Sequence, residues 1–131
     1  MKNKYAALFL GWLVPGLGHF YAGRRQKAAV FFIAIMASTA AGLVFGGFRN
    51  VYFRLDHYQF YAEIGNGFLT LFASSVMGLM HARPIESMTD GGALAGIVPI
   101  ADLYLMIAGL LNFVVAANAF DTVAQEARRQ Q

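Results

Sequence analysis

The apolar residues of the chain fall into four runs that contain no charged residue, at 5–23, 28–48, 64–80 and 103–120. A helix needs about 17–25 apolar residues to cross a hydrocarbon core of about 30 Å. The pattern therefore predicts an all-α fold, that of a polytopic helical membrane protein with three to four transmembrane helices. The whole chain, 1–131, is predicted to form a single helical membrane domain.

Three transmembrane helices are predicted at 28–48, 64–82 and 99–120. The first of these is the cleanest, since its uncharged residues would form a helix of about 31 Å. The last begins at Pro99, because proline is well tolerated at the first helical position. Asp102 then lies in the first turn as an interfacial cap near the positive end of the helix dipole. No ionised side chain is therefore predicted at the centre of the bilayer.

The first run, 5–23, is interrupted by Pro15, Gly16 and Gly18. Proline removes one backbone hydrogen bond and clashes with the preceding helical turn. A kinked span, a re-entrant half-helix and a helix that ends early are all compatible with this pattern. The distribution of Lys and Arg residues between the two sides does not select among them by the positive-inside rule.

The segment 49–63 is rich in aromatic residues and separates two of the predicted helices. Its apolar residues Val51, Leu55, Tyr58 and Ala62 follow the spacing of a helix. A short helix of this composition, with charged residues on its other faces, typically lies in the plane of the lipid headgroups. The sequence therefore predicts an interfacial element here.

Small residues recur every four positions within the predicted helices. In lipid, such stripes allow close helix contact, and association depends on van der Waals packing and interhelical hydrogen bonds. Asn112 is the most polar residue deep in a run, and an unpaired amide in hydrocarbon costs several kcal/mol. We therefore predict a hydrogen bond from Asn112 to Thr70 or Ser74. The residues predicted to pack the helices are Ser38, Gly42, Gly46, Thr70, Ser74, Gly78 and Asn112.

The composition agrees with a membrane protein, because 58% of the residues are hydrophobic and only 13% are charged, against about 25% charged in soluble domains. The net charge of +3 comes from short basic clusters beside the apolar runs. This placement indicates contact with anionic lipid headgroups, through Arg24, Arg25 and Lys27, and not with nucleic acid. The absence of cysteine excludes disulfides and thiolate metal sites.

The most distinctive string forms the second half of the first run and the residue after it, and reads Pro-Gly-Leu-Gly-His-Phe-Tyr-Ala-Gly-Arg. Its glycines permit a tight turn, and its basic end can meet phosphate groups. It resembles the opening hairpin of a family of small, uncharacterised bacterial integral membrane proteins, and more distantly the two-transmembrane-hairpin domain family. This resemblance implies a helical hairpin and no established activity. The motif residues are Pro15, Gly16, Gly18, His19, Tyr21, Gly23 and Arg24.

The chemistry that the sequence offers is sparse. His19, His57 and His81 are far apart and lack the spacing of a metal site, so no metal is predicted. His19 is the one candidate for cofactor binding, as a ligand to a tetrapyrrole, and a helix-end hydrogen bond is the alternative. No catalytic residues are predicted, because no nucleophile and base pair is evident.

The sequence therefore predicts a non-enzymatic integral membrane protein of the bacterial inner membrane, an accessory or scaffold subunit without a cofactor. Its expected partners are membrane lipids, together with a partner membrane protein or a second copy of the chain. One alternative is a small transporter or channel-like protein, with a path lined by Asn112, Thr70 and Ser38. The other is a pigment- or haem-binding subunit that uses His19.

Overall fold

The computed structural model describes residues 2–45, 64–79 and 98–129. Within those ranges the chain is helical and contains no strand. The predicted interfacial segment 49–63, together with Gly46, His57 and His81, lies outside the described residues. The elements are α1 (Lys4–Leu13), α2 (Leu17–Tyr21), α3 (Arg25–Phe45), a 3-10 turn (Ile64–Asn66), α4 (Phe68–Leu79) and α5 (Val98–Arg129).

The longest helix, α5, is the centre of the bundle, and both α1 and α3 pack along it. At one end the ring of Phe45 lies 5.9 Å from that of Tyr104. At the other end Nη2 of Arg24 lies 3.7 Å from Oε1 of Glu126. Helices α3 and α5 are therefore antiparallel over most of their described length.

Helices α1 and α2 form a hairpin that folds back on itself. The turn between them passes through Gly16, whose φ of 78° is in the left-handed region that favours glycine. The returning helix ends beside the start of α1, where Nζ of Lys2 donates to the carbonyl oxygen of Ala22 at 2.7 Å. The two ends of the run 5–23 therefore lie at the same end of the bundle.

The buried side of α5 is made mainly of small residues, and its outer side of large ones. Among the described residues, seven of the eleven buried hydrophobic side chains are alanine. By contrast, Leu110 and Phe113 on the outer side are 56% and 61% exposed. One buried stripe of α5 alternates in steps of four and three residues, as Ala101, Leu105, Ala108, Asn112, Val115, Ala119 and Thr122, and the buried residues Gly109, Ala116 and Val123 lie beside it.

Two described helices are long and apolar enough to cross a membrane, Arg25–Phe45 and the stretch Ile100–Arg129 of α5. The predicted helix 64–82 begins later than expected, because Ile64–Asn66 forms a 3-10 turn and α4 starts only at Phe68. The 12 described residues of α4 are about 18 Å long, which is shorter than a hydrocarbon core of about 30 Å.

Helices α3 and α5 also extend beyond their predicted ends. Helix α3 begins at Arg25 and α5 continues to Arg129, because charged residues can continue a helix past its apolar part. The sequence predicts Asp102 as a cap in the first turn of a helix that begins at Pro99. Helix α5 starts at Val98, so Asp102 is its fifth residue and lies just beyond that turn.

Candidate functional site

The largest fully buried side chains of the described residues are Ile35, His19, Val123, Asn66 and Asn112, so three of these five are polar. Two of the three, Asn66 and Asn112, lie near each other where the end of α1 reaches the 3-10 turn, because Asn112 binds the carbonyls of Trp12 and of Gly65, the residue before Asn66. We call this cluster the polar junction. It consists of Trp12, Thr39, Gly65, Asn66 and Asn112.

Asn112 joins two separate parts of the chain at the polar junction. Its side-chain amide Nδ2 donates to the carbonyl oxygen of Trp12 at 3.0 Å and to that of Gly65 at 2.8 Å. The carbonyls in the last turn of a helix have no partner within the helix, and Trp12 is one residue from the end of α1. The amide therefore caps a broken helix from a residue 100 positions away.

Trp12 makes a second connection between α1 and the 3-10 turn. Its indole Nε1 donates to the carbonyl oxygen of Ile64 at 3.0 Å, which satisfies the one polar atom of this otherwise apolar side chain. The 3-10 turn also lies so close to the backbone of α5 that a Cβ added at Gly65 would overlap the carbonyl of Gly109. Only glycine fits at that position.

Asn66 connects the polar junction to α3. Its Nδ2 donates to Oγ1 of Thr39 at 3.3 Å, and that hydroxyl donates in turn to the carbonyl oxygen of Ile35 at 2.9 Å. Within the part of the chain that the structure describes, the amide oxygens of Asn66 and Asn112 accept no hydrogen bond. The polar junction therefore holds α1, α3, α5 and the 3-10 turn together and keeps two buried acceptors.

The polar junction consists of neutral hydrogen-bonding groups, namely amides, a hydroxyl, an indole N–H and backbone carbonyls. Such groups can hold helix ends together, and their oxygens can accept a proton donor or coordinate a hard cation. Across residues 2–45, 64–79 and 98–129, no three His, Cys, Asp or Glu residues are grouped as metal ligands. The arrangement thus supplies dipoles and not ionised groups.

His19 is 1% exposed and lies in α2, outside the two long apolar helices. Its Nε2 is 3.0 Å from the amide oxygen Oδ1 of Asn118, so Nε2 donates and Nδ1 is left without a partner in the described ranges. Burial lowers the pKa of His19, and the charges of Lys27 and Arg24 lower it further, while the Asn118 bond opposes the shift. Together these effects favour the neutral form of the ring.

The ring of His19 also packs against that of Phe31, with centroids 5.0 Å apart. Asn118 occupies Nε2 and Phe31 packs against the ring, so Nδ1, which is buried, is the ring nitrogen left for any ligand. The described geometry thus uses this residue as a buried link between the hairpin and α5.

The other motif residues shape the hairpin. The hydroxyl of Tyr21 accepts a hydrogen bond from the backbone N–H of Asn3 at 3.1 Å. Gly18 lies so close to α1 that an added Cβ would overlap the carbonyl of Ala7. Pro15, Gly16 and Gly18 are buried, and Gly23 is exposed at the end of the hairpin with a φ of 90°.

The three basic residues predicted to contact headgroups differ in their surroundings. Arg24 pairs with Glu126, and both side chains are about two-fifths exposed, at 43% and 38%. The guanidinium of Arg25 lies 5.8 Å from the centre of the Phe20 ring. Lys27 is exposed and lies two residues after Arg25 in the first turn of α3. All three therefore lie at the end of the bundle where the hairpin begins and ends, which we call the basic end.

The predicted packing residues are divided by the structure. Gly42 of α3 is buried against Leu105 and the carbonyl of Ala101, whereas Ser38 is half-buried. Thr70, Ser74 and Gly78 lie along α4, of which the structure describes the backbone at these positions. The described acceptors of Asn112 differ from the predicted ones, because its amide donates to the backbone carbonyls of Trp12 and Gly65. The side chains of Thr70 and Ser74 lie outside the described part of the structure.

Sequence reasoning missed Trp12, Asn66 and Asn118 as site residues. Two of them carried a signal. Trp12 is the one tryptophan of the chain, and a buried indole N–H needs an acceptor. Asn66 lies between two glycines, a pattern typical of turns, inside a run that was read as a continuous helix. Asn118 has no comparable signal, since its partner His19 is 99 residues away.

Among the comparisons with known proteins, a protein family matches the chain. No curated protein and no solved structure matches the chain. A family described as "Family of unknown function (DUF6677)" matches residues 6–131, a range that includes the hairpin motif and the whole polar junction. The chain therefore belongs to this family of unknown function, DUF6677.

Proposed function

We propose that the chain is an integral membrane protein without enzymatic activity, an accessory or scaffold subunit that packs against a partner membrane protein or a second copy. The observation that carries this proposal is where small and large apolar side chains lie in the bundle. Alanines fill its interior, and large apolar residues such as Phe113 and Leu110 cover its outside. In water this arrangement would expose the residues whose burial contributes most to stability.

The same pattern is favourable in lipid. Lipid tails are as apolar as leucine, so large side chains lose nothing by facing outward, and small residues let the helices approach closely. In this proposal α3 and α5 span the membrane, and the α1–α2 hairpin re-enters on the side of the basic end. Non-helical backbone at membrane depth is tolerated where protein buries it, and the polar junction supplies that burial.

The proposed partner surface is the outer face of α3. Ala34, Ala37 and Ala40 are exposed there, although small residues are typical of contacts between helices in membranes. The predicted small-residue stripe is only partly used inside the chain, because Gly42 is buried while Ala34 remains exposed. A second helix could therefore approach this face closely. The hairpin string's resemblance to bacterial membrane families supports a location in the bacterial inner membrane.

Cysteine crosslinking tests this proposal directly, because the chain contains no cysteine. We would introduce Ala37→Cys and crosslink native membranes at the natural expression level, followed by native mass spectrometry after mild extraction. The expected result is a crosslinked dimer or a crosslink to one partner of defined mass. Phe113→Cys, on the exposed large-residue side of α5, is the control and should give little product.

The scaffold proposal would be refuted by a monomer in both variants, or by equal crosslinking yields from Ala37→Cys and Phe113→Cys. Ala37→Leu provides an independent measurement, since a larger side chain on an exposed face should weaken association without destabilising the chain itself. Unchanged association in that variant would also count against the proposed surface.

A second candidate function, a small transporter or channel, is favoured by the polar junction. Broken helices that meet inside a bundle form the substrate sites of many transporters. The amide oxygens of Asn66 and Asn112 are buried and accept no hydrogen bond within the described ranges. Both oxygens could therefore face a passing ion or polar molecule.

Flux into liposomes that contain the purified chain tests this candidate. We expect Asn112→Leu to abolish flux if the polar junction lines a path. Ser75→Ala, an exposed position on α4, is the control and should keep it. An absence of flux for a panel of inorganic cations and small neutral solutes in the unsubstituted chain would remove the transporter candidate for those substrates.

A further inference from the structure

An open groove of about 340 Å³ lies on the outside of the bundle, between the hairpin and the first two turns of α3. Its volume falls within the range of about 300–1,000 Å³ that is typical of small-molecule sites. Apart from one arginine at its rim, the residues that line it are apolar. Those used in the following argument are Pro15, Leu17, Phe20, Arg25, Ala29 and Phe32.

We propose that this groove binds one anionic phospholipid, with its phosphate on Arg25 and the upper part of one acyl chain between Leu17 and Phe32. The proposal rests on the membrane location proposed above and adds a specific lipid site to it. It goes beyond a general attraction of basic residues to headgroups, because it assigns the charge and the apolar wall to one molecule.

The dimensions of the groove suit the outer part of a lipid leaflet. Arg25 begins α3 at the basic end, where headgroups are expected. Phe32 lies seven residues further along the helix, which corresponds to a depth of about 10 Å. Half of a hydrocarbon core is about 15 Å thick. The groove therefore extends from the headgroup layer through most of one leaflet.

Within residues 2–45, 64–79 and 98–129 the charge at the rim has no acidic partner. Arg24 uses its guanidinium on Glu126, but among the described residues Arg25 forms no ion pair and lies near the Phe20 ring. The first turn of α3 contains no acidic residue, although the N-terminus of a helix favours negative charge. An external phosphate would therefore satisfy both the arginine and the helix end.

The floor of the groove is kept open by a small residue. Ala29 is exposed between the bulkier side chains of Phe20 and Phe32. A tryptophan at this position would fill the groove without changing the charge of the protein. Because Ala29 is on the surface, the substitution should leave the packing of the bundle intact.

Native mass spectrometry of the full-length chain in detergent tests the proposal, with phosphatidylglycerol and phosphatidylcholine titrated separately. We expect one phosphatidylglycerol to be retained at concentrations where phosphatidylcholine is lost. Arg25→Gln should weaken this retention about tenfold, as expected for one charge-assisted contact. Ala29→Trp should weaken it by a similar factor, because the acyl chain is excluded.

Two control variants separate a built site from general attraction. Lys27→Gln removes a positive charge from the same helical turn but not from the groove, and Ala117→Trp adds the same bulk at an exposed alanine of α5, away from the groove and from the proposed partner surface. Both should retain phosphatidylglycerol as the unsubstituted chain does. A loss in either control as large as in its matched variant would overturn the proposal.

Two further outcomes would also overturn it, namely equal retention of both lipids by the unsubstituted chain, or unchanged retention in Ala29→Trp. Dimers that form through the groove without retained lipid would assign it to a second copy instead. Crosslinking at Ala37 is read separately, so a failure of the lipid site would be distinguishable from a failure of the scaffold proposal.

Discussion

The side-chain amide of Asn112 donates to the carbonyl oxygen of Trp12 at 3.0 Å, although the two residues are 100 positions apart. The bond closes an interrupted helix from the middle of the longest helix of the bundle. The same amide holds Gly65 at 2.8 Å. One side chain therefore determines how the hairpin, α5 and the 3-10 turn fit together.

Replacement of Asn112 by leucine should destabilise the protein strongly. The substitution leaves two buried carbonyls without donors, at a cost of about 1–3 kcal/mol each, and hydrogen bonds inside membranes fall near the lower end of that range. We expect a loss of about 2 kcal/mol or more in the free energy of unfolding. The measurement is chemical denaturation in detergent, followed by the fluorescence of Trp12, the one tryptophan of the chain.

The control for this prediction is Phe113→Leu, at the neighbouring exposed position of α5, which should change the free energy of unfolding little. If Asn112→Leu unfolds at the same denaturant concentration as the unsubstituted chain, the polar junction does not stabilise the bundle as we describe.

Gly16→Ala and Gly23→Ala form a matched pair. Comparing their stabilities separates the cost of backbone strain from the cost of overlap between an added Cβ and neighbouring atoms. Both residues have a positive φ, of 78° and 90°, so alanine is strained by about 1–2 kcal/mol at either position. At Gly16 the new Cβ would also overlap the carbonyl of Ala28, whereas at Gly23 it would meet only the end of the Lys2 side chain at 3.2 Å. Overpacking adds about 1–3 kcal/mol, so Gly16→Ala should be the more destabilising.

Thermal denaturation of the two variants checks this prediction. Equal melting temperatures would mean that the contact between the hairpin turn and α3 is looser than the geometry indicates. A Gly23→Ala variant that fails to fold would contradict the view that its surroundings are open.

The free energy of unfolding should decrease as the pH is lowered, because of His19. Its pKa in the folded protein is lowered by burial, with Lys27 and Arg24 adding to the effect, so the unfolded chain binds a proton more readily than the folded one. The contribution of neutral His19 to the free energy of unfolding is fully present above the ordinary histidine pKa of about 6.5. It is lost as the pH falls below that value towards the lower pKa of the folded state.

The measurement is the free energy of unfolding between neutral and mildly acidic pH, for the unsubstituted chain and for His19→Gln. Both proteins retain the other two histidines, so the difference between the two curves belongs to His19. We expect a shallower decline in the variant. Parallel curves would refute the prediction.

The ion pair between Arg24 and Glu126 should contribute little to stability. Its atoms are 3.7 Å apart and its side chains are 43% and 38% exposed, and exposed pairs of this kind are worth about 0–1 kcal/mol. A double-mutant cycle with Arg24→Gln and Glu126→Gln should give a coupling energy in that range, smaller at high salt. A larger coupling would indicate that lipid or a partner shields the pair from water.

Much of the local structure could be predicted from the sequence. The uncharged run 28–48 marks α3, because charge is costly in hydrocarbon, and the Pro-Gly string at 15–16 marks the turn of the hairpin. The inner face of α5 was harder to find, because its outer face is equally apolar. Residue size, and not polarity, distinguishes Ala108 inside from Phe113 outside.

The sequence by itself determined the helical class and the positions of the two long apolar helices, because these depend on residues close together in the chain. Only the tertiary structure decided that the hairpin folds back, that Asn112 caps Trp12 and that Asn118 binds His19. These contacts join residues 20 to 100 positions apart. A buried polar atom must find a partner, but local patterns do not say which distant residue supplies it.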